Sequence, residues 1–579
     1  MSAPTRPPGA TGPTNPTNPT SPTGATSLAS SAGATRPAGA AETGHVAVEP
    51  VLAAHEIQGD VLAGFRKDNA VYLFLRITDT SGARRALTAL LGRVSPLADV
   101  ARFNRLFRSV RRRRGEVRGS LSATWLNIAF TATGLAALVG EEAVRQFDDD
   151  AFRLGLAARS ALLGDPTDPA LAGHPGNWRV GGPTNPVDAV VIVAGDSPAD
   201  LTATAAWVSD IATRPHDGAP SGFAVVFEQR CAARPDLPGH EHFGFRDGVS
   251  QPGPRGRLGD GPDDYLVPRV IAPGDPRSRF FGRPGERLVW PGEFVLGLPR
   301  QPLPPRDEFD PLPGAVAGPA WARDGSYLVI RRLRQDVAAF TSFLDETAAR
   351  LRRDGTFPDL TADRLAALLV GRWPSGAPLV RTPLTDDPAL GADDFAVNDF
   401  SYLTAEPACP LRPGVHPPDR FPATIADPQG RLCAHAAHIR KVNPRDQATD
   451  LGGARTTLHR RLLRRGLPFG PPLTTTVDDE VDRGLLFASY QASIEDQFEF
   501  VSQNWVNRTN RPSADPGGHD LILGQAAAAP GRRRVTYLLD AAGDPVEITT
   551  ATEWITPTGG GYFFAPSISA LRALAQPPA

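Results

Sequence analysis

The amino-acid sequence predicts an α+β fold made of two similar halves, and three observations lead there. A β-branched or aromatic run followed by a helical period of Leu and Ala recurs along the chain, as in VYLFLRI with SGARRALTALLG and in VVIVAGDSPADLTATAAWVSDIA. The same opening pattern returns past the middle, in GSYLVIRRLRQDVAAFTSFLDETAARL. The turns between these runs lack the G-x-G-x-x-G of a dinucleotide-binding domain, which argues against a long doubly wound sheet. The expected division is a tail over residues 1–45, a first half over 46–300 and a second half over 301–579.

Taken in order, the tail is Pro, Thr, Gly, Ala and Ser with almost no large apolar side chain, a composition that cannot offset its ordering entropy. Val71 to Ile77 read as a buried strand, followed by a helix to about Pro96. From Arg111, RRRRGEVRGS reads as a basic, turn-rich, solvated link, because no aromatic residues are interleaved for nucleic acid. A strand through Ile128 to Phe130 precedes a helix from about Thr133; Val190 to Val193 repeat the idea, and Phe223 to Phe227 form a further strand. Residues 252–320 are rich in Pro, Gly, Arg and Asp, with GEFVLG as their one apolar piece, a length suited to loops that wrap a site. In the second half, strands are expected through Tyr327 to Ile330 and Leu485 to Tyr490. Helices are expected from about Asp336, over TADRLAALLVGRW and up to about Trp505. The Gly triplet of EWITPTGGGYFF permits close backbone approach.

Composition narrows the function classes. With 579 residues, 41% of hydrophobic type, the chain can bury a large core, and 61 basic against 63 acidic residues give no global attraction to nucleic acid or anionic membrane. Cys231, Cys409 and Cys433 are too few and scattered for a disulfide framework or zinc site. The start lacks a secretory apolar core, and no window holds eighteen consecutive apolar residues, so the expectation is a cytoplasmic protein with no membrane partner. G-x-S-x-G and G-x-x-x-x-G-K-[ST] are both absent, which removes the usual serine hydrolase and nucleotide hydrolase chemistries.

Two stretches remain. Residues 431–470 crowd His435, His438, Arg440, Lys441, Arg445, His459, Arg460, Arg461, Arg464 and Arg465 among apolar residues, a setting suited to a histidine and arginines on the wall of a pocket holding an anion. In GHEHFGFRDGVSQPG, Asp247 sits in a glycine-punctuated turn that either caps itself or holds a carboxylate at a cavity rim. His435 and His438, three apart, would be neighbours on a helical face. Zinc would need further ligands, whereas an iron porphyrin needs one histidine, an apolar slot and cations for its propionates.

In order along the chain, IQGDVLAGFRK, NIAFTATGLAAL, GFRDGVSQP, GEFVLG, GSYLVIRRLRQDV, VGRWPSGAPL, AHIRKVNPR, RRGLPFG, GLLFASYQ and TPTGGGYFF resemble segments of the dye-decolourising peroxidase family of haem peroxidases. The resemblance runs from about residue 52 to the end. It implies two ferredoxin-like domains with antiparallel sheets and peripheral helices, of the dimeric α+β barrel type, and a haem b cofactor. It also implies oxidation of bulky aromatic donors, dyes and phenols, by hydrogen peroxide, and it admits a homo-oligomer. Carried over, His438 resembles the proximal iron ligand, Asp247 the distal acid and Arg464 the distal arginine, with Arg465 as the competing choice. Arg440 and Arg445 join His438 as expected cofactor-binding residues. Glu495 resembles the acceptor of the proximal imidazole's second N–H, with Asp496 and Glu499 as substitutes. His435 is expected to face away. Cys409 to Gly430 resembles an insertion that reshapes the haem entrance.

Overall fold

The computed structural model describes residues 48–114, 121–215, 218, 220–415, 421–513, 517–525 and 533–577; the tail expected over 1–45 lies outside them. Nine strands build one sheet. In the first half these are β1 (Asn69–Ile77), β2 (Thr124–Phe130), β3 (Ala189–Gly195) and β4 (Phe223–Ala232). In the second they are β5 (Ser326–Gln335), β6 (Leu463–Arg464), β7 (Leu467–Phe469), β8 (Gly484–Gln491) and β9 (Ile555–Ala565). The spatial order is β4-β1-β3-β2-β9-β5-β8-β6, with β7 also on β8.

With β6 and β7 counted as one interrupted strand, each half repeats the order fourth, first, third, second, with every pairing antiparallel: the ferredoxin-like plan expected above. The halves join where Phe564 of β9 meets Phe130 of β2. Residue 300 falls in the long connection between β4 and β5, while the sheet runs on across the two halves.

Both faces of this sheet are buried, which is why β1 and β3 read as continuous apolar runs rather than alternating ones. On one face Val71, Leu73 and Leu75 pack with Leu87 and Leu90 of α1 (Thr80–Leu91) and with Phe147, Phe152 and Phe564; on the other, Tyr72 and Phe74 pack with Leu328, Ile330 and Phe563. Each fully buried Leu or Phe contributes about 1.5–3 kcal/mol, and both clusters draw on both halves.

Helices begin where caps permit. Asp79 accepts from Gly82 N at the start of α1, and α2 spans Leu97–Arg114. Thr131 caps α3 (Ala132–Val139), Ser197 caps α4 (Pro198–Thr213), Asp336 caps α5 (Val337–Arg353) and Thr361 caps α6 (Ala362–Val370). The expected basic link is corrected in its first part: Arg111 to Arg114 complete α2, since no helix breaker occurs before Gly115, and residues 115–120 lie outside the described set. The Gly triplet behaves as expected, because a Cβ on Gly560 would lie 2.1 Å from the Ile330 carbonyl oxygen. Among the described residues no helix is long and apolar enough to cross a membrane.

Candidate active site

Residues within 241–252 of the first half and residues of the second half line a slot with a volume of ≈ 260 Å³. One wall comes from the sheet: Leu333 of β5, Leu485 and Phe487 of β8, Ile555 of β9. More of the lining is Phe498, Val501 and Val506 on two wide π-helical turns, with Phe498 packed on Phe487, and Ile522 and Leu523 complete it. Such turns recur at functional sites, where their extra residue per turn redirects side chains. Into this apolar space project His438, Asp247, Arg464 and further arginines.

His438 is the first residue of α7 (His438–Val442). Its Nδ1 lies 2.7 Å from Oδ2 of Asp520, a fully buried carboxylate whose Oδ1 accepts from Ile522 N at 2.9 Å and Leu523 N at 3.1 Å. Burial pushes the imidazole pKa down, but the charge and hydrogen bond of Asp520 outweigh it, leaving the group above its ordinary value. Burial likewise acts to raise Asp520, and the His438 charge with the backbone donors brings it below the usual carboxylate range. An ionised acceptor on Nδ1 fixes the N–H there and leaves the Nε2 lone pair open to the slot.

This corrects the expected acceptor. Glu495 is bonded instead to Arg159 Nη2 at 3.1 Å and Asp150 N at 3.2 Å; Asp496 takes Arg460, and Glu499 takes Arg159 and Tyr562. All three acids are committed to first-half residues or to a neighbouring loop. His435 precedes α7 rather than sharing its face, and bonds Pro428 O and Ser513.

Across the slot, the turn carrying Asp247 is shaped by Gly244 and Gly248, with φ of 93° and 71°, backbone that side chains other than glycine rarely adopt. Asp247 Oδ1 accepts from Gly248 N at 2.6 Å and from Arg464 Nη1 at 2.9 Å, and no described residue donates to Oδ2. Arg464 is fixed by β6: its backbone pairs opposite Ser489, its N–H meets Gln251 Oε1 at 3.2 Å, and its Nη2 donates to Ser250 O at 3.1 Å. Arg465, one residue on, points the other way and bonds the carbonyls of Asp60, Val61 and Leu62. Strand alternation separates the two candidates.

The other expected cations divide. Arg445 lines the slot, stacked 3.5 Å from the Phe400 ring centroid and bonded to Phe400 O and Asn398. Arg440 does not: it is buried behind α7, where it bonds Asp427, Gln447 and the Cys433 carbonyl, so its expected cofactor role is corrected to holding that loop. Arg461 was named in the basic cluster but given no role of its own. It lines the slot, and its guanidinium has no hydrogen bond or ion pair with any described residue. Burial, followed by repulsion from Arg445 and Arg464, pushes it down to about 9. The buried Ser250 hydroxyl in the same slot is also without a partner.

These features fit an iron porphyrin. Among the described residues no group of three or more His, Cys, Asp or Glu side chains could hold a metal ion by itself. One oriented imidazole, an apolar slot and an unsatisfied guanidinium instead match a metal carried in a flat ring with carboxylate arms.

Comparison with known proteins agrees with this reading. Residues 56–233 match the DyP dimeric alpha+beta barrel domain, and residues 421–514 match the C-terminal Dyp-type peroxidase domain. A dye-decolorizing peroxidase of Mycetinis scorodonius is 31% identical over 545 residues, covering 90% of this chain and 87% of that protein. The structure of an ancestral D-type dye decolorizing peroxidase is 33% identical with a TM-score of 0.70, covering 90% of this chain and 99% of the other. A dye-decolorizing peroxidase solved in complex with 2,6-dimethoxyphenol is 28% identical with a TM-score of 0.64, covering 91% and 100%. Together with the fold, these likenesses establish that the chain belongs to the dye-decolourising peroxidase family.

Proposed function

We propose that the chain binds haem b in the slot through His438 Nε2 and that Asp247 and Arg464, which line the same slot, manage hydrogen peroxide there. As a member of a haem peroxidase family the protein is a peroxidase with a haem cofactor. The observation that carries the finer assignment is one shared slot: an imidazole locked by Asp520 at 2.7 Å, facing a carboxylate and guanidinium joined at 2.9 Å.

When bound, haem would supply the electron-transfer chemistry, so that one peroxide and two phenolic donors, each giving up one electron and one proton, yield two waters and two phenoxyl radicals. The residues do the rest. Asp247 Oδ2, free of other donors, takes the proton from one peroxide oxygen and returns it to the other as that oxygen leaves as water; it must be ionised to begin. Arg464 stays cationic and faces the oxygens as negative charge develops on them. Asp520 keeps the His438 tautomer and makes the imidazole more electron-donating. Arg461 is the partner for a propionate, with Arg445 beside it, while Phe487, Phe498 and Val501 exclude water.

The donors are bulky aromatics, phenols and dyes; the relative solved with 2,6-dimethoxyphenol supports the phenols. An electron relay to a donor too wide for the slot would run through aromatic side chains, and Trp373, Tyr490, Trp505, Trp554 and Tyr562 are all buried. Cytoplasmic residence belongs to the same proposal, supported by three free thiols, and cell fractionation tests it. The function is tested by loading purified protein with haem and following peroxide-dependent oxidation of 2,6-dimethoxyphenol. His438→Ala is expected to lose the Soret band and the activity together, and retention of both would refute the assignment.

A further inference from the structure

Asp247, Gly248, Val249 and Arg464 border not only the slot but also a second cavity of ≈ 430 Å³. A recess of ≈ 60 Å³ shares Arg66, Gln251, Arg283, Glu286 and Arg465 with that cavity and adds Arg108. Most cations here are committed. Arg465 bonds four carbonyls, Lys67 pairs with Asp196, and Arg246 bonds the Gly391 carbonyl.

Arg66, Arg108 and Arg283 are different. Among the described residues their guanidiniums make no hydrogen bond and no ion pair, and the Arg283 Nε is buried without a partner. The one carboxylate lining the recess, Glu286, has a buried Oε2 that is likewise unsatisfied. Burial first, then repulsion from Arg66 and Arg283, pushes Arg108 down to about 10. Arg66 is solvent-accessible where it borders the cavities, and its backbone sits at φ 52°, a conformation a side-chain-bearing residue holds only when its surroundings impose it. Three unpaired guanidiniums against one buried carboxylate leave a local excess of positive charge with its hydrogen-bond donors unused. Planar guanidinium forks match the oxygens of carboxylate and sulfonate groups. The recess has room for such a head group, and the adjoining cavity for the ring that bears it.

We infer that this recess is an oxyanion subsite beside the distal acid, which takes the carboxylate or sulfonate of an anionic aromatic donor. The inference rests on the peroxidase reading for the donor's fate but not for its binding.

Calorimetry on the haem-loaded full chain, with benzenesulfonate as probe, separates the two. Saturable binding is expected, weakened roughly tenfold or more in Arg66→Ala/Arg283→Ala through loss of charge-assisted hydrogen bonds and partly restored in Arg66→Lys/Arg283→Lys. In turnover, the kcat/KM ratio of a sulfonated donor to a neutral phenol should fall by a similar factor in the Ala variant, through KM. Equal benzenesulfonate affinity in wild type and the Ala variant would overturn the subsite. Sulfate binding as tight as benzenesulfonate would overturn the donor assignment in favour of a free inorganic anion. Should the double variant not fold, Arg108→Gln on α2 gives the same comparison. Benzenesulfonate binding without peroxide-driven phenol oxidation would support the subsite while counting against the roles given to Asp247 and Arg464.

Discussion

Replacing Asp520 by Asn changes one buried atom pair and tests which acid serves the proximal imidazole. Asp520 accepts three donors: His438 Nδ1 at 2.7 Å, Ile522 N at 2.9 Å and Leu523 N at 3.1 Å. In the variant the amide oxygen is held by the two backbone donors, because turning the amide would set its NH2 against both, at about 1–3 kcal/mol for each unsatisfied group. The amide N–H then faces Nδ1. The imidazole proton shifts to Nε2, and the lone pair needed by a metal is removed from the slot. Loss of such a partner costs roughly 10- to 100-fold in metal affinity, while the fold, with its other contacts kept, loses only about 1–2 kcal/mol. The assay is haem transfer to excess apomyoglobin, followed at the Soret band, beside a chemical denaturation curve. Asp520→Asn should lose haem at least about tenfold faster, whereas Glu495→Gln, which disturbs only the Arg159 and Asp150 contacts, should match wild type. Transfer from Asp520→Asn within twofold of wild type, or equally fast loss from Glu495→Gln, would refute the reasoning.

Three further expectations follow, two from arginines and one from a buried histidine. Arg461→Ala should speed haem loss roughly tenfold, since among the described residues nothing pairs its guanidinium in the slot; Arg440→Ala should instead lower unfolding stability by about 3 kcal/mol, because buried Asp427 keeps its backbone donors at Arg431, Leu432 and Cys433 but loses its counter-charge. His242 is pushed by burial to about 4, with Nε2 donating to Phe469 O and Nδ1 unpartnered. Its folded pKa lies below its unfolded one, so the stability it contributes is present above about pH 6.5 and lost as pH falls toward 4, a change of about 3 kcal/mol. His242→Gln, which keeps a donor for Phe469 O, should flatten that part of the acid limb in denaturation curves taken between about pH 7 and about pH 4.5; an unchanged slope would contradict this.

Much of the fold was readable because its signals are local. Val71 to Ile77 are apolar on both faces, Asp79, Ser197, Asp336 and Thr361 sit where caps belong, and the recurrence at Ser326 announces the second half. Asp247 was legible because glycines punctuate its turn, whereas Arg464 rested on the resemblance carried by RRGLPFG, which left Arg465 as its competitor until the pairing with β8 was seen. The partners were not. Asp520 meets His438 across 82 residues of chain, from an irregular segment whose only local sign is an Asp accepting from the two backbone groups after it, and many turns show that. Glu495 looked suitable within its own segment, but Arg159, 336 residues away, claims it. Arg440 and Arg461 are equivalent by composition, and only the packing of α7 against its loop turns one behind the slot and the other into it.

The most direct measurement is the stopped-flow rate of haem-loaded Asp247→Asn with hydrogen peroxide, read against wild type at matched Soret absorbance. If the distal carboxylate moves the proton, the rate falls by about 10²- to 10⁴-fold while the haem stays bound through His438. A rate within twofold of wild type, at full haem occupancy, would contradict the placement of the acid.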